Sequence, residues 1–124
     1  MKLKRLSSAD FDRIAARTRM GERALHMARA VLVEGKTQAE VAVEVDLTKQ
    51  RVNAAVATIE RAFIQAGNPG NGEILVSLEL PEALALELTR LIDGLAANDD
   101  EIARSKALAQ VLRAIRTAAN DLRA

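Results

Sequence analysis

The stretch "TQAEVAVEVDLTKQRVNAAVATI", from Thr37 to Ile59, constrains the fold more than any other part of this sequence. Alanine and valine recur at helical spacing on both sides of a short polar break centred on Asp46. Thr37 and Thr48 each precede an apolar-periodic run and are typical helix N-caps. Two helices joined so tightly must cross at close range, and Ala42 is small enough to allow it. The pattern predicts a helix-turn-helix.

The chemistry of the break supports this interpretation. Glu40 completes a capping box with Thr37, and Asp46 occupies the turn, where a left-handed backbone is expected and Asp tolerates it better than most residues. The apolar residues predicted to frame the turn or face inwards are Val41, Val45, Leu47, Val52, Ala55, Val56, Ile59 and Phe63.

The outward face of the second helix carries polar and small side chains, so the helix can enter the major groove of DNA. Asn and Gln can pair bidentately with adenine, Lys or Arg can reach guanine, and an alanine methyl can touch a thymine methyl. The residues predicted to read bases are Thr48, Lys49, Gln50, Asn53, Ala54 and Ala57, and those predicted to contact the DNA backbone are Lys36, Thr37, Arg51 and Arg61. The alternative is a solvated helical face in a small bundle.

The glycine-rich segment "AGNPGNGE", Ala66 to Glu73, cannot continue a helix and divides the chain. The expected organisation is a DNA-binding domain over 1–66, a linker over 67–73 and a dimerisation domain over 74–124. Before the linker, two further helices are expected, one capped by Ser7 or Ser8 through about Arg17, the other from Gly21 to Glu34 with Gly35 in a left-handed conformation. The fourth helix should end near Gln65.

After the linker, "EILVSLEL" (Glu73 to Leu80) alternates as a β-strand does, and Pro81 suits a helix start. No partner strand is predicted elsewhere in the chain, so we expect the same strand of a second copy to pair with it across a two-fold axis. This strand-helix-helix order is similar to a ribbon-helix-helix unit. The expected dimer interface is Ile74, Val76, Leu78, Leu80, Leu84, Leu88 and Leu91. The alternative is a self-contained helical hairpin with an exposed strand.

The apolar spacing of the two C-terminal helices also predicts a buried side on each. The residues expected there are Leu84, Leu88, Leu91, Ile92 and Leu95 on the first helix, and Leu108, Val111, Leu112, Ile115 and Leu122 on the last. The acidic run Asp99–Glu101 is expected to mark the start of the last helix.

Charge is distributed unevenly although the chain carries only +1 overall. Residues 1–66 hold 12 Lys/Arg against 8 Asp/Glu, whereas residues 67–124 hold 6 against 9. The outward strand residues would be Leu75, Ser77 and Glu79. An apolar, a neutral and an acidic side chain would not bind DNA phosphates favourably. We therefore expect only the first half to contact DNA. Lys2, Lys4 and Arg5 are either a basic arm on the DNA backbone or a frayed terminus.

Other functional classes find little support. The chain has no cysteine, its one histidine, His26, has no partners at metal-ligand spacing, and no arrangement pairs a nucleophile with a base. We expect no catalysis, metal, cofactor or small-molecule ligand, no membrane span, and a cytoplasmic bacterial location.

The segment "RALHMARAVLVEGKTQAEVAVEVDLTKQRVNAAVATIERAF" resembles the KorA/TrfB family of plasmid transcriptional repressors, with "ARAVLVEGKTQA", "LTKQRV" and a later strand ending in "LP" in the same order. The likeness covers residues 1 to about 92. It implies a helical DNA-binding domain followed by a small dimerisation domain, acting on palindromic operators. It places Lys49 at the start of the recognition helix and Asn53 and Ala54 in its base-reading turn, where Ala54 departs from the longer polar side chain of family members.

The leading hypothesis is a homodimeric, sequence-specific repressor that binds double-stranded DNA at an inverted-repeat operator, in a mostly α fold. A second hypothesis is a protein-interaction module, antitoxin-like or an adaptor, whose helices bind a partner protein. A third is an architectural protein that binds DNA without sequence preference, which predicts steep salt dependence and little discrimination.

Overall fold

The computed structural model describes residues 1–67, 70 and 72–124, and these form two compact units, residues 1–79 and 80–124. The chain is mostly helical, as expected. The first unit contains β1 (Lys2–Arg5), α1 (Ser8–Ala15), α2 (Glu22–Leu32), α3 (Gln38–Val45), α4 (Lys49–Ala66) and β2 (Leu75–Ser77). The second contains α5 (Glu82–Ala97) and α6 (Glu101–Arg123).

The helices of the first unit begin and end where local side-chain chemistry favours it. The hydroxyls of Ser7, Thr37 and Thr48 accept the backbone N–H groups of the residues three positions on, at 3.1, 3.1 and 3.2 Å. Each hydroxyl thereby satisfies an N–H that has no partner within its helix. Gly35 has φ +78°, which confirms the left-handed conformation expected after α2.

A single apolar core holds this unit together. The largest fully buried side chains come from α1, α2, α3 and α4: Phe11, Ile14, Leu32, Val41, Val52 and Ile59. The buried residues of this core are aliphatic apart from Met27 and Phe11, and the guanidinium of Arg29 lies 4.7 Å from the centroid of the Phe11 ring. Because α4 packs against α1, α2 and α3, its inner face is fixed and its opposite face is left exposed.

The expectation that the strand near residue 75 has no partner within the chain is wrong. β2 pairs antiparallel with β1, in the register Lys2 to Ser77, Leu3 to Val76 and Arg5 to Leu75, with an irregularity between Leu3 and Arg5. β2 is also shorter than the predicted eight-residue strand. β1 therefore satisfies part of the backbone N–H and C=O groups of β2, which were expected to pair with a second copy.

This pairing changes the setting of two residues expected at a dimer interface. Ile74 and Val76 are half-buried and pack against the core of the first unit. Leu78 and Leu80, which were expected on the same face, are 50% and 36% exposed. The segment 74–79 thus lies with the first unit, whereas the expected organisation assigned it to the second. Within the expected linker, residues 68, 69 and 71 lie outside the described residues.

Two glycines of the expected linker lie close to the N-terminal end of α1. A Cβ atom added to Gly70 would meet Asp10 Oδ1 at 2.5 Å, and one added to Gly72 would meet Asp10 Oδ2 at 2.8 Å. Asp10 is buried and its carboxylate also pairs with Arg13 at 3.4 Å. Any side chain at these two positions would require the Asp10 carboxylate to move, so glycine lets the backbone approach it closely.

The second unit consists of two helices that contain no fully buried residue. α6 begins as expected from the acidic cluster, because the Asp100 carboxylate accepts the N–H groups of Ile102 and Ala103 at 3.0 and 3.4 Å. Neither α5 nor α6 contains a buried residue, whereas a buried side was expected on each. Four residues of that predicted side are half-buried: Leu88, Leu91, Leu95 and Val111. The others are 40–90% exposed: Leu84, Ile92, Leu108, Leu112, Ile115 and Leu122.

Candidate nucleic-acid interface

The turn between α3 and α4 has the geometry that its sequence predicts. Asp46 adopts a left-handed conformation, with φ 54° and ψ 47°, and it is the sole non-glycine residue with positive φ among those described. The N–H of Leu47 donates to the carbonyl of Ala42 at 3.0 Å, and the N–H of Asp46 to that of Val43 at 3.3 Å. These two bonds close the end of α3 in a Schellman-like arrangement and set the direction in which α4 departs.

Substitutions at Asp46 should change stability in opposite directions. Asp46→Gly is expected to raise the free energy of unfolding by about 0.5 kcal/mol, because glycine adopts the left-handed conformation without the steric cost that an L-residue carries. Asp46→Val should lower it by about 1–3 kcal/mol, because a β-branched side chain is strained there. Urea denaturation of the two variants would measure this. Equal midpoints for both would show that the turn conformation does not limit stability.

The exposed face of α4 carries the side chains that were predicted to read bases. Lys49, Gln50, Asn53 and Ala54 are exposed, and Ala57 is half-buried one turn further along the same face. On the inner side, Val52, Ala55, Val56 and Ile59 are buried, as expected. The expected division of α4 into an apolar inner face and a polar outer face is therefore observed, and which of the outer residues contact bases remains a prediction.

Thr48 differs in chemistry from the other predicted base-reading residues. Its side chain is exposed, but its hydroxyl oxygen already accepts the N–H of Arg51. Its O–H group remains able to donate to an acceptor on DNA, so capping and DNA contact are compatible at this residue.

A residue that sequence reasoning missed lies next to Asn53. Gln38, the first residue of α3, donates from Nε2 to Asn53 Oδ1 at 3.2 Å. The contact joins residues 15 positions apart on the two helices of the motif, so no local pattern could reveal it. Because Oδ1 accepts from Gln38, this hydrogen bond fixes the orientation of the Asn53 amide and leaves its Nδ2 group able to donate elsewhere. We infer that Gln38 is a positioning residue for Asn53.

Gln38→Ala should therefore act through Asn53 alone. We expect it to reduce discrimination by about threefold to tenfold, the value of one net hydrogen bond, at the base pair that Asn53 is predicted to contact, with other positions unchanged. A double-mutant cycle with Asn53→Ala would measure this, and the double variant should equal Asn53→Ala at that position. Additive losses, or a loss spread across the whole site, would refute the positioning role.

The residues predicted to contact the DNA backbone lie in different electrostatic settings. Lys36 donates to Glu44 Oε2 at 3.1 Å and lies 3.8 Å from Glu34 Oε2. The hydrogen bond to Glu44 is the main reason that the pKa of Lys36 is raised, and nearby carboxylate charges add to it. Lys36 thus stays protonated at neutral pH, but a phosphate would compete with Glu44 for its ammonium group.

The other three predicted backbone contacts are spread along α3 and α4. Thr37 and Arg51 are exposed, at the N-terminus of α3 and in the first turn of α4. Arg61 is exposed in the second half of α4, and its guanidinium donates to Thr58 Oγ1 at 3.3 Å. Their role toward phosphate remains a prediction.

Other functional features are few. In residues 1–67, 70 and 72–124, no group of three or more His, Asp or Glu side chains could hold a metal ion. His26 is exposed on α2. Over the same residues, no helix is both long enough and apolar enough to cross a bilayer.

The two helices, the left-handed turn and the exposed polar face define a helix-turn-helix protein. The model of the TrfB plasmid transcriptional repressor family matches residues 6–89, which include the whole motif. The chain is also 35% identical over 79 residues to the TrfB transcriptional repressor protein of Escherichia coli, an alignment that covers 64% of this chain and 77% of that relative. The chain belongs to the TrfB family of plasmid transcriptional repressors. Helix α6 lies outside the residues that the family model matches.

Proposed function

We propose that this protein is a sequence-specific transcriptional repressor that binds, as a homodimer, an inverted-repeat operator in plasmid or bacterial promoters. The observation that carries the proposal is the exposed polar face of α4, held by a capped start and a left-handed turn, in a chain of a repressor family. Bound over a promoter, the dimer would exclude RNA polymerase by occupancy.

Base recognition is assigned to the first two turns of α4. Lys49 can reach guanine N7 and O6, and Gln50 and Asn53 can pair with adenine. Ala54 and Ala57 add little bulk, so the helix can approach the base edges closely and contact thymine methyl groups. The short side chain of Ala54 changes what this face can recognise relative to the longer polar residue expected from the family resemblance. We therefore propose an operator that differs from the relative's at the matching base pair.

Dimerisation is assigned to the second unit and the leucines before it. A helix pair in which no residue is buried cannot be stable alone in water, since helices of this length owe most of their stability to packing of an apolar face. On α6, the exposed side chains Leu108, Leu112 and Ile115 follow the i, i+4, i+7 spacing of a contact stripe. A second copy of the chain would bury this stripe together with the exposed parts of α5, including Leu84.

The strand face has a smaller role in this dimer than the sequence suggested. Ile74 and Val76 already pack against the first unit, so the residues proposed for the interface are Leu78, Leu80, Leu84, Leu88 and Leu91, together with the stripe on α6. β1 pairs with one edge of β2, and the other edge of β2 can pair with the β2 strand of a second copy.

Two copies are needed for adequate discrimination. One mismatched base pair costs about 1–3 kcal/mol, so a single helix in one half-site selects weakly among genomic sequences. Two α4 helices on a two-fold axis, with half-site centres about 34 Å or a multiple apart, double that selectivity and require an inverted repeat.

Selection of bound duplexes from a random pool by the full chain would test the proposal. We expect an inverted repeat to be enriched, with an affinity at least about 10³ times that for unrelated duplex at the same salt concentration. Enrichment of no sequence would contradict it. Tight binding without preference would instead favour an architectural protein, and no binding at all a protein-interaction module.

A further inference from the structure

A strongly basic groove borders the recognition face. It has a volume of about 530 Å³ and lies between β1, the segment that leads into α3, and the first turns of α4. Five cationic side chains line this basic groove: Lys2, Lys4, Arg5, Lys36 and Lys49. Asn53 and Ala57 line it too, so one wall of the groove is the predicted base-reading surface itself.

The strand that forms the opposite wall is held firmly in the fold. Leu3 and Leu6 are each 4% exposed within the core, and the N–H of Leu6 donates to the carbonyl of Leu32 at 2.9 Å. β1 also pairs with β2. Residues 2–5 form a strand in which exposed lysines flank the buried Leu3. Of the two expectations for the N-terminus, a basic arm or a frayed end, the fold therefore disfavours the frayed end.

The charges of the groove are not balanced by the protein. The carboxylate among its lining residues, Glu60, already accepts the N–H of Leu3 at 3.1 Å. Arg5 and Lys36 also have partners, the carbonyl of Val33 at 3.2 Å and the carboxylate of Glu44. Three exposed lysines remain, of which Lys49 is already predicted to read bases and Lys2 and Lys4 lie on β1.

Neither Lys2 nor Lys4 takes part in any ion pair within the described part of the chain. Two uncompensated ammonium groups held on a rigid strand would attract a polyanion.

We infer that the basic groove holds the sugar–phosphate backbone of the operator, with Lys2 and Lys4 contacting phosphates beside the base pairs that α4 reads. The inference rests on the proposed function. When a helix lies in the major groove, the DNA backbone runs alongside it, and cations next to the helix face are where phosphates pass. β1 therefore acts as a second DNA-contacting element, which binds the phosphates of the DNA backbone and makes no contact with base edges.

The paired substitution Lys2→Gln with Lys4→Gln tests this, because it removes both charges and retains the polar side chains. A dimer would lose four phosphate contacts, so the slope of log K against log[salt] should become shallower by about 3–4. Affinity at 0.15 M salt should fall at least about tenfold, and equally for operator and unrelated DNA, so that the specificity ratio stays within about threefold of wild type. Fluorescence anisotropy over a salt series measures all three quantities.

The matched control is Arg17→Gln with Arg19→Gln, which removes the same charge from exposed residues that do not line the groove. The control should keep nearly the wild-type slope. An unchanged slope in the lysine variant, or an equal change in both variants, would overturn the inference. If the wild-type chain selects no sequence, the proposed function and this inference fall together; if it selects one and the lysine variant behaves as wild type, only this inference falls.

Ethylation interference locates the contacts independently. Ethylation of certain phosphates next to each half-site should weaken binding of the wild-type protein. Ethylation of the same phosphates should leave the affinity of the lysine variant unchanged. The same interference pattern for both proteins would contradict the assignment.

Discussion

Replacing Lys49 and Asn53 together with alanine is expected to reduce operator affinity by about 10³-fold or more, to the level of unrelated DNA. Each bidentate contact to the correct base contributes about 1–3 kcal/mol of discrimination, and a dimer makes every contact twice. Both side chains are exposed on α4, so the free energy of unfolding should change by no more than about 1 kcal/mol, including the loss of the Gln38–Asn53 hydrogen bond. Anisotropy titrations with the selected operator, beside urea denaturation, would measure both effects.

A matched control removes the same chemistry from elsewhere in the first unit. Arg23→Ala with Gln65→Ala deletes one charge and one amide from exposed positions on α2 and near the end of α4. It should retain most of the selective binding. If the alanine pair at Lys49 and Asn53 kept the wild-type preference while remaining folded, the assigned face of α4 would be the wrong one.

The second large effect is expected from charges placed on the proposed dimer surface. Leu84→Glu with Leu112→Glu should convert the dimer to a monomer and reduce operator affinity by about 10²–10⁴-fold, because the two half-sites would no longer be bound by one linked molecule. Both leucines are more than 40% exposed in the single chain, so glutamate costs little there but would be buried without a partner in the dimer. Sedimentation equilibrium and anisotropy would report the two losses.

Ile102→Glu provides the matched control for this surface. Ile102 is 81% exposed and lies roughly 120° around α6 from Leu108, away from the proposed stripe. This variant should remain dimeric with near wild-type affinity. A wild-type chain that sediments as a monomer, or a double glutamate variant that remains a dimer, would contradict the assignment of dimerisation to this surface.

Local chemistry explains why the helix-turn-helix could be predicted from the sequence in detail. Thr37, Thr48 and Asp46 act on backbone groups within a few residues, so their effect is visible in the sequence itself. The inner face of α4 follows from the 3.6-residue period. For these elements the helix boundaries and the exposed face agree with the expectations to within one or two residues.

The strand β1 could not be anticipated in the same way. "KLKR" is short and mostly charged, and it becomes a strand because it pairs with residues 70 to 75 positions later and because Leu3 enters the core. Missing β1 led directly to the wrong statement that β2 lacks a partner in its own chain. The Gln38–Asn53 contact is non-local as well, and it depends on the crossing of two helices.

The second unit illustrates a different limit. The apolar periodicity of α5 and α6 predicts that one side of each is buried, but it does not state which molecule provides the cover. In the single chain that side is only partly covered: Leu91 and Val111 are half-buried, whereas Leu112 and Ile115 are exposed. Periodicity identifies a contact surface, and only the assembled protein can identify its partner.

The most direct test of the whole account is an altered-specificity selection. The wild-type chain and an Asn53→Arg variant would each select duplexes from the same random pool. We predict that both recover an inverted repeat with the same spacing, and that the preferred base changes at one position in each half-site, symmetrically, toward guanine. An unchanged preference for every base, or a change in only one half of the site, would contradict the claim that two copies of α4 read the operator.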